Sequence, residues 1–168
     1  ADSAVPAVRI FLTSSETSPQ IRLLAADTLG QIRSPAAAGV LTEELMKPRR
    51  EDGNDAVIIR QTIIDSLAAS GPLAVGAVPG LSRATEDPNV DIRRKACEAL
   101  GALGPRAEGA IAALLERLIL DDDDAVKDAA ANALGQLGTP AVKPLVNLLE
   151  RGEPELQWRA ARALGQIG

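Results

Sequence analysis

The chain has 168 residues, 46% hydrophobic but only 1% aromatic, so its interior must be built from Ala, Leu, Val and Ile around one Phe (Phe11) and one Trp (Trp158). That composition suits close helix-against-helix packing and disfavours a sandwich or barrel. A formal net charge of −5 with no offsetting basic tail repels nucleic acid and anionic membrane surfaces, and the absence of any His rules out Ser/His/Asp and Cys/His catalytic sets.

A first helix is expected over about residues 3–13, followed by the first copy of a unit that the chain keeps rewriting. Its copies run over 18–32 (SPQIRLLAADTLGQI), 54–71 (NDAVIIRQTIIDSLAASG), 87–104 (DPNVDIRRKACEALGALG), 121–138 (DDDDAVKDAAANALGQLG) and 153–168 (EPELQWRAARALGQIG). They align on Leu29, Leu67, Leu100, Leu134 and Leu164, spaced 38, 33, 34 and 30 residues apart. A period in the low thirties is the length of one two-helix repeat.

Each copy predicts a helix, termed B. Eight residues before the anchor Leu stand Ile21, Ile59, Ile92, Val126 and Leu156, and four before it Ala25, Ile63, Ala96, Ala130 and Ala160, which makes one apolar stripe at helical spacing. Acidic or Pro residues precede the later copies (Asp87-Pro88, Asp121 to Asp124, Glu153-Pro154), as an N-cap and first turn prefer. Gly71, Gly104, Gly138 and Gly168, four residues past the anchor, are placed to adopt positive φ at a C-cap. The residue after the anchor is Gly30, Gly101, Gly135 or Gly165 in four copies; Gly inside a helix costs about 1 kcal/mol against Ala, so its recurrence implies close approach by a neighbouring backbone.

After each B helix a Pro (Pro35, Pro72, Pro105, Pro140) starts the next A helix, with kinks or late starts expected at Pro79 and Pro144. The prediction is an all-α superhelix of about five helix pairs, with repeats at 1–34, 35–71, 72–104, 105–138 and 139–168 and a concave B-helix face. Between Met46 and Ala56 the sequence KPRREDGND lengthens one step and predicts a charged loop. No apolar run is read as long enough for a bilayer, and no signal peptide is recognised. The lack of an initial Met and the stop on a repeat boundary lead to the expectation of a piece of a longer chain, cytoplasmic, or periplasmic if Ala1 is a processed N-terminus.

The pattern D..(V/I)R..A..ALG.LG...A...L, met in 87–114 and again with Lys127 in 121–145, strongly resembles the HEAT-like repeats of the phycobilisome lyase family; the second copy, IIDSLAASG, departs most. Proteins with such repeats include bilin lyase subunits and chaperone-like relatives, an iron hydroxylase, DNA-repair glycosylases and bacterial scaffolds. The hydroxylase resemblance would imply paired His-Glu metal ligands, which a chain without His lacks; the glycosylase resemblance would imply a basic, aromatic-lined groove, against the charge and composition here.

Two rows of residues are candidates for function. Arg22, Arg60, Arg93 and Lys127, seven before the anchor, are expected to form a ladder with acidic residues of neighbouring repeats, or alternatively an anion-binding row. Six and two before the anchor, on the predicted concave face, stand Leu23, Gln61, Arg94, Asp128 and Trp158, and Asp27, Asp65, Glu98, Asn132 and Arg162. With Lys95 and Arg159 these form the candidate partner-binding surface, acidic along Asp27, Asp65 and Glu98 and basic around Trp158, where a cation–π contact is expected. Cys97 reads as a small core residue. The run Asp121 to Asp124 lacks the Gly and Glu of a calcium loop, since Val126 and Asn132 occupy those places.

The leading reading is thus a non-enzymatic module that binds another protein, as a helix or extended peptide, without cofactor or metal. A bilin lyase or maturation-factor subunit is the alternative that the resemblance implies, with Leu23, Leu24 and Trp158 as the apolar lining; nucleic-acid binding ranks third.

Overall fold

The structure is a computed structural model that describes residues 2–47 and 53–168. The predicted loop between Met46 and Ala56 falls for the most part on 48–52, outside the described residues. Five helix pairs follow one another. The A helices are α1 (Val5–Thr13), α3 (Pro35–Met46), α5 (Val78–Ala84), α7 (Ile111–Leu120) and α9 (Thr139–Arg151); the B helices are α2 (Pro19–Ile32), α4 (Asn54–Ser70), α6 (Val90–Ala102), α8 (Asp124–Leu137) and α10 (Pro154–Ile167). Each B helix packs on the B helix of the next pair, α2 on α4, α4 on α6, α6 on α8 and α8 on α10, so the B helices form one continuous layer.

The apolar stripe explains this layer. Leu29, Leu67, Leu100 and Leu134 are fully buried, as are Ala96, Ala130 and Ala160. Removing that much aliphatic surface from water stabilises the stack at roughly 25 cal/mol per Å². Ile21 is a correction to the stripe: it is 47% exposed where its counterparts Ile59, Ile92 and Val126 are buried. Leu24 on the same helix is also exposed.

Of the glycines after the anchor, Gly30, Gly101 and Gly135 are in close contact with the next pair, whereas Gly165 has nothing within 4 Å of an added Cβ. A Cβ on Gly30 would stand 2.5 Å from Ser66 Cβ, and one on Gly135 would stand 3.2 Å from the Ala163 carbonyl oxygen. At the C-caps, Gly71, Gly104, Gly138 and Gly168 all take positive φ; the first copy puts Arg33 there, at φ 48°.

Two A helices begin late. Pro72 and Pro105 open 3-10 segments, Gly71–Ala77 and Gly104–Ala110, with non-helical backbone at Ala74 and Ala107, before α5 and α7 start. Asn89 and Asp123, rather than Asp87 and the first residues of the acidic run, are the N-caps of α6 and α8, accepting from the Ile92 and Val126 backbone N–H groups respectively.

The reading of apolar runs also needs correction. Residues Asn54–Ala84 include an 18-residue window of mean hydropathy 1.3, which by length and composition passes for a membrane span. Gly71, at φ 52° and ψ −134°, breaks that run. Its apolar side chains Ile59, Ile63, Leu67 and Leu81 are buried between the helix pairs.

Candidate functional site

Two polar networks cross the repeats, one along the turns that lead into the B helices and one on the outer face of the B layer.

Along the first, Arg93 donates from Nε and Nη2 to Asp121 of the next pair, both at 2.9 Å, and from Nη2 to Asp122 at 2.7 Å. Its Nη1 donates to the carbonyl oxygens of Asp87 and Pro88. The hydrogen bond to Asp121 raises the Arg93 pKa against the opposing effect of burial. Burial of the Asp121 carboxyl opposes its ionisation, but the bonds from Arg93 and from the Asp123 backbone N–H outweigh that and hold it below 3.8. Arg60 reaches Asp87 of the next pair at 3.3 Å, and Arg22 reaches Glu44 at 3.5 Å.

Lys127 departs from this row. It pairs at 3.5 Å with Asp124 of its own helix, not with the next repeat. The position that matches Asp87 and Asp121 in the fifth copy is Arg151, a like charge, so that rung has no acid to take.

On the B face, Asp27 and Glu98 are exposed, as is Asp65, while Gln61, Arg94, Asp128, Asn132 and Arg162 are half-buried. Open grooves separate successive helices: about 720 Å³ between α2 and α4, bordered by Asp27, Gln31, Thr62 and Asp65, and about 390 Å³ between α6 and α8, bordered by Arg94, Glu98, Asp128 and Asn132. Trp158 is 56% exposed, with the Arg162 guanidinium 4.7 Å from its ring centroid, a distance at which the ring quadrupole attracts the cation.

Several of these side chains already have partners. Arg94 bonds Asp91 and Glu98 on its own helix. Lys95 reaches across to Asp65 at 2.7 Å, and Gln166 donates to Asn132 at 3.2 Å. Asp27 accepts from Gln31 at 2.7 Å and, among the described residues, has no cationic partner.

Arg159 corrects the surface reading outright. It is 5% exposed and bonds Asp128 at 2.9 Å, Asp124 at 3.2 Å and Glu155. Burial disfavours its charge, but the bonds to Glu155 and Asp128 more than offset this and raise its pKa. Lys95 and Arg159 share one helical position, five before the anchor, and both clamp the preceding pair. The recurrence of a base there, one repeat after an acid on the B face, is the signal that could have placed them.

Cys97 is buried, and burial, aided by the Asp121 charge, pushes its thiol up to about 12. The acidic run is spent on structure: Asp121 holds Arg93, Asp123 caps α8, and Asp124 meets Lys127 and Arg159. Among the described residues no cluster of His, Cys, Asp or Glu is placed to hold a metal.

A family model described as HEAT repeats matches residues 42–134 and 111–168. In solved structures, the chain is similar to the complex of CpcE and CpcF of phycocyanin lyase from Nostoc sp. PCC7120, at 26% identity and TM-score 0.62, over 97% of this chain and 64% of that one. It thus spans less than two thirds of that relative's length. A designed armadillo repeat protein in complex with the peptide (KR)4 superposes with TM-score 0.65 at 19% identity, covering 97% of this chain and 81% of that one. Human deoxyhypusine hydroxylase in complex with glycerol does so at 0.55 and 16%, covering 99% and 74%. At those identities the last two show the fold alone. No curated protein matches the chain in sequence.

Proposed function

The chain belongs to the HEAT repeat family, and from that premise we propose that it is a non-catalytic scaffold that receives a basic helix or extended peptide of a partner protein on a concave B-helix face. The observation that carries this is the exposure of Asp27, Asp65 and Glu98, one per helix at the same position on α2, α4 and α6, beside open grooves. Within this row Asp27 has no cationic partner among the described residues, while Asp65 is held by Lys95 of the next pair and Glu98 by Arg94. Because Lys95 and Arg94 already neutralise Asp65 and Glu98 in part, an incoming peptide must compete with them, and moderate, salt-sensitive binding follows. The solenoid complex with (KR)4 supplies the probe. Titration with (KR)4 should show saturable binding that the combined Asp27→Asn, Asp65→Asn, Glu98→Gln variant loses and that an acidic peptide does not reproduce; equal binding by the variant contradicts the reading.

The similarity to the CpcE and CpcF complex favours a second reading, a lyase or maturation-factor subunit that works in a complex. The apolar residues considered for a chromophore groove support it poorly. Leu23 and Leu24 lie on α2 and Trp158 on α10, at opposite ends of the array. A shift in bilin absorbance on mixing would favour this reading over the first.

A further inference from the structure

Arg33 holds a backbone conformation that strains any residue with a Cβ. It ends α2 at φ 48° and ψ 49°, in the left-handed region, and is the one non-Gly residue at positive φ among the described residues. The matching positions of the other four copies are Gly71, Gly104, Gly138 and Gly168. The Arg33 side chain is exposed and makes no hydrogen bond or ion pair among the described residues. A helix dipole favours a cation in the last turn, but neighbouring positions with ordinary backbone meet that preference equally well. The fold therefore gives no reason for Arg at this position, and strain of this kind collects at ligand sites.

Arg33 borders the open groove of about 720 Å³ between α2 and α4, together with Asp27, Gln31, Thr62, Asp65 and Ser66. Asp65 is held by Lys95 of the next pair, whereas Asp27 accepts from Gln31 and has no cationic partner among the described residues. One groove thus carries a guanidinium and a carboxylate that are not paired with each other. Asp27 stands six residues before Arg33, roughly 9 Å along the helix axis at about 1.5 Å per residue. Opposite charges so placed suit a ligand that bears a carboxylate and a cation one long side chain apart. We infer that this groove takes the C-terminal residue of the partner peptide, a Lys or Arg, with its terminal carboxylate accepting from Arg33 and its side chain donating to Asp27. The planar fork of a guanidinium matches a carboxylate. This inference rests on the reading of the B face given above and adds a direction to it: the peptide ends between α2 and α4 and runs back toward Glu98 on α6.

The test titrates the protein at low salt with (KR)4 as the free acid and as its C-terminal amide. On a chain of net charge −5 the overall field favours the amide, which is richer by one positive charge, so a preference for the acid reports a local cation. The acid should bind about three- to tenfold more tightly, between the worth of an exposed ion pair and that of a hydrogen bond to a charged group. Arg33→Gly, which gives α2 the cap residue of the other copies, should bind the two forms alike or prefer the amide, with a melting temperature at or above the parent's to show that it is folded. Equal or weaker binding of the acid by the parent overturns the inference and leaves the reading of the acidic row standing, as does an unchanged preference in folded Arg33→Gly. Failure of both forms to bind overturns the two together. Displacement of the peptide acid by N-acetylarginine at equal concentration would assign the groove to a free amino acid and overturn the peptide end.

Discussion

A Cβ added to Gly101 would stand 2.9 Å from the Cα of Ala133 on the next B helix. The backbones of α6 and α8 thus approach at a distance only Gly allows, whereas Gly165 on α10 has nothing within 4 Å. One residue type at one repeat position therefore has opposite consequences. Gly101→Leu should destabilise by about 3 kcal/mol or more, at the upper end of overpacking costs. Gly165→Ala should stabilise by up to about 1 kcal/mol through helix propensity. Urea denaturation measures both; a Gly101→Leu protein with the parent midpoint would rule out the close approach.

The Arg93–Asp121 pair joins the third and fourth repeats through a fully buried carboxylate. Removing Arg93 leaves that carboxylate with only Arg117 at 3.5 Å and the Asp123 backbone N–H, so Arg93→Ala should cost near the lower end of the about 3–5 kcal/mol that breaking a buried pair costs. Lys127→Ala, which removes only an i,i+3 pair to an exposed Asp124, should change stability by less than about 0.5 kcal/mol. Similar losses for the two variants would contradict the assignment of the ladder to Arg93.

The same pair sets a pH dependence. The folded-state pKa of Asp121 lies below the ordinary 3.8, so its contribution is fully present above about pH 5 and disappears as pH falls from there through the folded value. Stability curves of the parent and of Asp121→Asn should therefore approach each other as pH falls below 3.8 and through the lower folded value. A constant difference between them down to pH 2 would argue against the depressed pKa.

Arg33 occupies the left-handed cap position that the other copies give to Gly. A non-Gly residue pays about 1–2 kcal/mol in that conformation, and part of the relief is offset by the greater freedom of Gly in the unfolded chain. Arg33→Gly should raise stability by about 0.5–1 kcal/mol, read as a higher midpoint in thermal unfolding.

Cys97 is buried, and burial pushes its thiol up to about 12, so thiolate is scarce at neutral pH and the group is shielded. Alkylation by iodoacetamide at pH 8 should proceed only at the rate of opening, and addition of urea should accelerate it sharply. Fast labelling of the folded protein would show that α6 is not packed as described.

The helix pairs were legible because their signals are local: the anchor Leu, the stripe before it and the positive-φ Gly after it all belong to one helix. The all-α solenoid follows from those, and the resemblance of the whole repeat pattern implies that it is HEAT-like. What a side chain on the B face touches was less legible, since helical spacing gives its direction but not the neighbour it meets. Arg159 and Lys95 look like solvated bases until the preceding helix brings Asp128 and Asp65 against them. Ile21 reads as core because its residue type matches Ile59 and Ile92, yet it is exposed where they are buried. Lys127 has the charge for a ladder rung, but the position matching Asp87 and Asp121 in the next copy is the basic Arg151. The cation–π contact of Trp158 with Arg162 was readable because both partners sit on one helix, four residues apart.

The central claim is that partner binding resides in the acidic row Asp27, Asp65 and Glu98 of the B helices. Mapping (KR)4 onto the protein by backbone amide shifts tests it most directly. The account predicts the largest perturbations around Asp27 on α2, Asp65 on α4 and Glu98 on α6, fading with added salt, and none on α3 or α7. Perturbations confined to the A helices, or none up to millimolar peptide, would contradict it.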